Sequence, residues 1–158
     1  QEDLHLWNIE HVFKKDMSRE KAKKKIFEWL YNPQREHLAE KVYRREQVKN
    51  KYWDGKKVTS YFDREIEADE HHALNYIIQS TTSDLLLRQM NKIFIALEGK
   101  KSFIAFPMHD SLIIDWSLED KEMITPLIKE FQDTELGTYK TNVRIGRNFG
   151  GMKKYDIQ

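Results

Sequence analysis

Two groups of residues in this sequence have the types and spacing to do chemistry. The first is Phe106-Pro107-Met108-His109-Asp110-Ser111-Leu112-Ile113-Ile114-Asp115, where apolar runs at 103–106 and 112–116 flank a His-Asp pair. So short a connection forces the runs to pair antiparallel, which puts Asp110 at the tip of a rigid hairpin. A carboxylate there suits a hard cation such as Mg²⁺, which takes one or two protein carboxylates and fills its shell with water and substrate phosphates. Asp is also an ordinary turn residue, and the spacing leaves both roles open.

The second group is Arg19, Lys23, Phe27 and Tyr31 at successive i, i+4 steps. On a helix turning ~100° per residue, these form one slowly drifting stripe of two cations followed by two aromatics. Cations hold phosphates and aromatic rings stack on bases, so the stripe could grip a nucleoside triphosphate along its length. The competing arrangement puts Phe27 and Tyr31 in the core with Ile26 and Leu30. A third group, Glu67, Asp69, Glu70, His71 and His72 with Asp110, offers oxygen and imidazole donors for a metal-dependent hydrolase. It lacks an established ligand spacing such as His-Glu-x-x-His and reads rather as a solvated, acid-rich helix start.

These side chains need elements to hold them. Residues 3–13 read as a helix with Asp3 near its start; Ser18 caps a long basic helix that runs to Tyr31 and stops at Asn32-Pro33. A second charged helix covers 36–50, and 53–56 is a turn leading into a strand at 58–62. Apolar residues recur at helical spacing from His72 to Leu97, with Gly99 as the stop. The Ser80-Thr81-Thr82-Ser83 run inside that helix predicts a kink or a close contact. After the hairpin, Ser117 and Asp120 have capping-box-like spacing at a helix that Pro126 should bend or divide. Residues 139–145 alternate as a strand, and Gly146, Gly150 and Gly151 then loosen the chain. Trp53 and Trp116 read as packing residues. Helices followed by a strand-turn-strand-helix-strand unit make an α+β fold.

The 158 residues bound one ordinary domain, and with no cysteine any metal must be held by oxygen or imidazole, which suits a reducing compartment. No apolar run is long enough to cross a membrane and no signal series opens the chain, so a soluble, intracellular protein is expected. The net charge of +1 conceals 15 Lys+Arg against 10 Asp+Glu in residues 1–60 and 12 against 16 thereafter. The basic half could attract a polyanion or be a solvated helical surface.

Together these stretches resemble the C-terminal part of the polymerase region of family A DNA polymerases. Arg19, Lys23, Phe27 and Tyr31 match that family's fingers-helix pattern; Asp3, His5 and Phe13 resemble the segment before it. His71, Asn75 and Gln79 are similar to a basic residue, Asn and Gln on its long palm helix, His71 standing where Arg is usual. His109-Asp110-Ser111 resembles its His-Asp-Glu motif, and 143–150 its closing Gly-x-Asn-Trp strand. The resemblance implies a fingers-like helical region at 1–62 and a palm-like region at 63–158. These would form an antiparallel palm-type sheet packed on a long helix, one compact unit of a larger polymerase. It implies roles: Asp110 as ligand of two Mg²⁺ ions, His109 near the primer end, Arg19, Lys23, Phe27, Tyr31 and His5 on the incoming deoxynucleoside triphosphate, and His71, Asn75 and Gln79 on primer-template DNA. Two-metal nucleotidyl transfer would follow, and the resemblance implies a cytoplasmic location in a bacterial cell or phage-infected host.

The departures limit this. Ser111 replaces the motif's Glu, Asn32 replaces a Gly, and the stretch between Tyr31 and the Arg64 region is short for the family. The family's other catalytic aspartate lies on a strand before the Asp-x-His segment and has no match here. The expectation is a fragment or split subunit that needs a polymerase segment in cis or in trans, binds Mg²⁺ weakly or not at all, and is inactive alone. The alternative is a non-catalytic nucleic-acid-binding or accessory protein that keeps the palm fold.

Overall fold

The computed structural model describes residues 3–32 and 38–155. Asp3 caps α1 (Leu4–Asn8), its Oδ1 accepting from the amides of His5 at 2.9 Å and Leu6 at 3.3 Å. The helix continues as a wider π-helical turn, Ile9–Phe13, and ends at Lys14, whose φ of +50° is left-handed. Ser18 caps α2 (Arg19–Tyr31) through its Oγ and the Lys21 amide. Ala22, Ile26 and Trp29 recur at i, i+4 and i+7, so one face of α2 is apolar; it packs with Val12, Phe13 and Ala39 into the first core.

The single helix expected over 36–50 is two: α3 (Glu40–Tyr43) and α4 (Arg45–Tyr52), separated by left-handed Arg44 at φ +51°; residues 36 and 37 lie outside the described set. The break turns Arg45 inward. Its guanidinium lies 5.1 Å from the Trp29 ring and donates to the carbonyls of Trp29 and Asn32, the last of these at 2.9 Å, at the end of α2. A cation at carbonyls that have no helical partner is worth more than one further turn of exposed helix.

The strand expected over 58–62 is β1 (Lys57–Thr59), paired antiparallel with β2 (Glu65–Glu67). It stops early because Ser60 Oγ accepts from the amides of Phe62 and Arg64, which closes a turn through Asp63 at φ +63°. Val58 packs there with Ala68, Ala73 and Ile77, and Trp53 bridges to the Ala68 carbonyl at 2.9 Å.

The long helix α5 (Glu70–Ala96) passes unbroken through the hydroxyl run. Ser80 and Thr82 donate back to the carbonyls of Tyr76 and Ile78, at 2.6 and 2.8 Å, so the hydroxyls are satisfied inside the helix. The expected close contact is present, since Thr81 accepts from the Tyr61 amide at 3.4 Å. The chain divides inside α5 into two packing units, Gln1–Thr82 and Ser83–Gln158; the 62/63 boundary read from the sequence falls in the turn after β1.

In the second unit α5 ends at Gly99, φ +72°, and β3 (Phe103–Met108) and β4 (Ser111–Asp115) form the hairpin. Ile93, Leu97 and Leu127 form the core, flanked by Ile104, Leu112 and Ile114 from the hairpin. Trp116 also packs there, as expected. Asp120 does not close a capping box: its Oδ2 accepts from the amides of Lys101 and Ser102, pinning the entry to β3. A 3₁₀ turn, Leu118–Met123, precedes α6 (Ile124–Gln132), so Pro126 sits in the first turn of α6, where its missing N–H costs no helical bond. Gln89 holds the other end of α6 through the carbonyls of Glu130, Phe131 and Asp133.

A short ladder, β5 (Asp133–Thr134) with β6 (Gly137–Thr138), follows. Of the strand expected over 139–145 only β7 (Val143–Ile145) pairs, with β8 (Lys153–Tyr155). The connection between them is tight, not loose: a Cβ on Gly146 would fall 2.8 Å from the Cα of Met152. All four described ladders are antiparallel and two-stranded, and none joins β3 and β4 to β7 and β8. No helix among the described residues is long and apolar enough to cross a membrane.

Candidate functional site

Arg19, Lys23, Phe27 and Tyr31 drift around α2 away from the buried face of Ala22, Ile26 and Trp29, and all four are exposed. The arrangement with Phe27 and Tyr31 in the core is therefore not adopted. Their rings stack, with centroids 5.9 Å apart and planes inclined at 13°, while 39% and 40% of the two residues stays exposed. His5 of α1 leans against Phe27 at 6.3 Å, and its Nδ1 is buried without a hydrogen-bond partner. Lys23 makes no ion pair with any described residue.

Arg19 is engaged. Its Nε donates to Asp3 Oδ2 at 2.9 Å and its Nη1 to Glu20 Oε1 at 2.8 Å. The hydrogen bond from Arg19 holds the Asp3 carboxyl below the ordinary carboxylate range, and the bond to Asp3 raises the guanidinium in turn.

Tyr31 also lines a cleft with Arg45, Lys49, His71, Leu74 and Asn75. Residues expected at the nucleotide and at primer-template thus share a wall within the first unit. Asn75 accepts from Gln79 Nε2 at 3.0 Å, one helical turn on. The sequence reading missed what lies beneath. Lys49, 7% exposed, donates to Glu46 at 2.8 Å and Glu70 at 2.9 Å, while Arg45 reaches Glu46 at 3.1 Å. Burial disfavours the charged forms, yet the bonds to Glu46 and Glu70 hold the Lys49 amine above its usual value, and those to Lys49 and Arg45 hold Glu46 below. Arg45 and Lys49 at i, i+4 beside Glu46 were the visible signal.

Asp110 and His109 form the two-residue turn of the β3–β4 hairpin, in the second unit. His109 adopts φ +53°, and Asp110 is exposed with Ser111 Oγ donating to its Oδ1 at 3.3 Å. The hydrolase set is dispersed into structural contacts. Asp69 accepts from the His72 amide and faces its Nδ1 at 2.8 Å, Glu70 binds Lys49, and His71 packs edge-on to His72. No group of three His, Cys, Asp or Glu among the described residues could hold a metal ion. The donors present fit one carboxylate contribution at Asp110 and not a complete two-ion centre.

No family model matches the chain, and no solved structure matches it. Over 96 residues the chain is 27% identical to a DNA polymerase I of Borreliella burgdorferi, a match that takes in 58% of this chain and 10% of that protein. The chain thus spans about a tenth of the length of this curated relative and is similar, in part, to a DNA polymerase.

Proposed function

We propose that this chain is the fingers-and-palm part of a family A DNA polymerase, whose α2 face binds the incoming deoxynucleoside triphosphate. The observation that carries the reading is the outward stripe: two cations and a stacked aromatic pair on a helix whose other face is buried. The partial likeness to a DNA polymerase I supports it. Lys23 and, once released from Asp3, Arg19 neutralise phosphate charge; Phe27 and Tyr31 offer a stacking platform to sugar and base. His5, against Phe27, turns an unpartnered ring nitrogen to the same neighbourhood. His71, Asn75 and Gln79 present polar groups to the minor groove, whose acceptors are largely independent of sequence.

Asp110 offers one carboxylate to Mg²⁺, which when bound would neutralise developing phosphate charge. A second carboxylate must come from outside the described residues, so nucleotidyl transfer belongs to the completed enzyme. Titration of a fluorescent deoxynucleoside triphosphate tests the reading: Lys23→Ala and Phe27→Ala should each weaken binding by roughly 10-fold, a loss of about 1.4 kcal/mol. Equal affinity in wild type and both variants would overturn it. Primer extension by the chain alone, abolished by Asp110→Ala, would show that no further carboxylate is required. The non-catalytic accessory reading gains from the incomplete donor set; it is favoured if primer-template binds and nucleotide does not.

A further inference from the structure

The first unit holds two separate apolar clusters. One carries α2 through Ala22, Ile26 and Trp29; the other carries the start of α5 through Ala73 and Ile77, and no described residue belongs to both. Helix α4 reaches each of them. Its Val48 and Tyr52 pack on the second cluster, while Arg45 lies over Trp29 of the first and donates to the carbonyls of Trp29 and Asn32, on either side of Tyr31.

At the cleft, a charge ties α4 to α5. The Lys49 amine, one turn after Arg45, donates to Glu46 at 2.8 Å on its own helix and to Glu70 at 2.9 Å, and it lies 5.9 Å from the Trp53 ring. Glu70 is the first residue of α5 and directly precedes His71, so the bond holds the turn of α5 that leads to Asn75. The lysine gives up its water and the acid does not: their side chains are 9% and 63% exposed. Desolvation of a buried ammonium offsets most of its attraction to carboxylates, and an apolar side chain of similar length is about as stabilising in such a position. What an ion pair adds is definition, one preferred register between the elements it joins.

Tyr31, His71 and Asn75 line one cleft, with Arg45 and Lys49 beneath them. A nucleotide paired with a template base has to meet Tyr31 and Asn75 at once. The joint complex therefore needs the two walls already at a set separation, whereas either ligand alone needs only its own wall.

We propose that Lys49 is a positioning residue: through Glu70 it holds His71 and Asn75 in register with Tyr31, so that nucleotide and primer-template bind together. This rests on the polymerase reading of the α2 face.

The experiment titrates a fluorescent deoxynucleoside triphosphate into the whole chain, with and without saturating primer-template DNA, in wild type, Lys49→Met, Lys49→Arg and Glu70→Gln. In wild type the DNA should strengthen nucleotide binding about 10-fold. Lys49→Met and Glu70→Gln should each cut that gain to about 3-fold or less, with either ligand alone bound within about 2-fold of wild type. Lys49→Arg should keep the gain, because a guanidinium can bridge both carboxylates. Glu70 is exposed, so Glu70→Gln decides the matter if Lys49→Met does not fold. An undiminished gain in Glu70→Gln or in folded Lys49→Met, or equal weakening of nucleotide binding with and without DNA, would overturn the proposal and leave the α2 reading standing. So would a wild type that binds nucleotide and gains nothing from DNA. A wild type that binds no nucleotide overturns the α2 reading itself, and this proposal with it.

Discussion

Asp3 and Arg19 are joined at 2.9 Å while the other Asp3 oxygen holds the amides of His5 and Leu6. One carboxylate therefore caps α1 and occupies a cation on the outward face of α2. In this arrangement the leading cation of the stripe is held by protein carboxylates, Asp3 and Glu20.

Asp3→Asn should release Arg19 without losing the cap, because Asn accepts at an N-cap about as well as Asp. Triphosphate affinity should rise by roughly 3- to 10-fold, equivalent to about 0.7 to 1.4 kcal/mol. A titration showing equal or weaker binding in the variant would mean that the pair does not restrain Arg19.

The same pair fixes a pH dependence. The Asp3 carboxyl is lowered in the folded chain by its hydrogen bond from Arg19, so its contribution to stability is present above the ordinary Asp value of about 3.9. It is lost as pH falls through the depressed folded value. Following the Asp3 carboxyl by NMR should give a titration midpoint below the ordinary Asp value of about 3.9, and it should move up toward that value in Arg19→Gln, the amides of His5 and Leu6 keeping part of the shift.

Arg45 is 7% exposed and donates to the buried Trp29 carbonyl at the end of α2, so Arg45→Ala removes that donor and should cost about 1 to 3 kcal/mol, seen as a lower urea midpoint. Arg45→Lys should recover little of this, since an ammonium cannot reproduce the fork that spans Trp29, Asn32 and Glu46. Full recovery by lysine would show that charge alone is needed.

Gly146 lies where a side chain would meet the backbone of Met152 at 2.8 Å. Gly146→Ala should cost about 1 to 3 kcal/mol and open the β7–β8 ladder, read as faster exchange of its amides. Protected amides in the variant would contradict the tight approach.

At the other hairpin, His109→Gly should stabilise by up to about 1 kcal/mol, because φ +53° strains a residue with a Cβ. Asp110→Ala should leave the unfolding midpoint unchanged, the carboxylate being exposed with only Ser111 against it. A large loss in either variant would assign these side chains a structural role.

Much of the helical framework was legible in the sequence. The i, i+4 stripe from Arg19 to Tyr31, the caps Asp3 and Ser18, and the stop at Gly99 are local signals, settled within a turn or two of chain. The His109-Asp110 turn was equally local, since two apolar runs so close together have one way to pair. The sequence thus determined that a cationic and aromatic stripe would exist and that a carboxylate would stand at a hairpin tip.

Which way the stripe faced was a matter of tertiary packing. Phe27 and Tyr31 could have filled the core, and they face outward because Trp29, under the Arg45 guanidinium, fills it instead. The break at Arg44, the diversion of Asp120 to the amides of Lys101 and Ser102, and the capture of Arg19 by Asp3 share one cause. Each joins groups distant in the chain whose pairing outweighs the local preference. The register that sets Arg144 against Lys154 was likewise fixed only when β8 returned to pair with β7, since periodicity along one strand does not specify its partner.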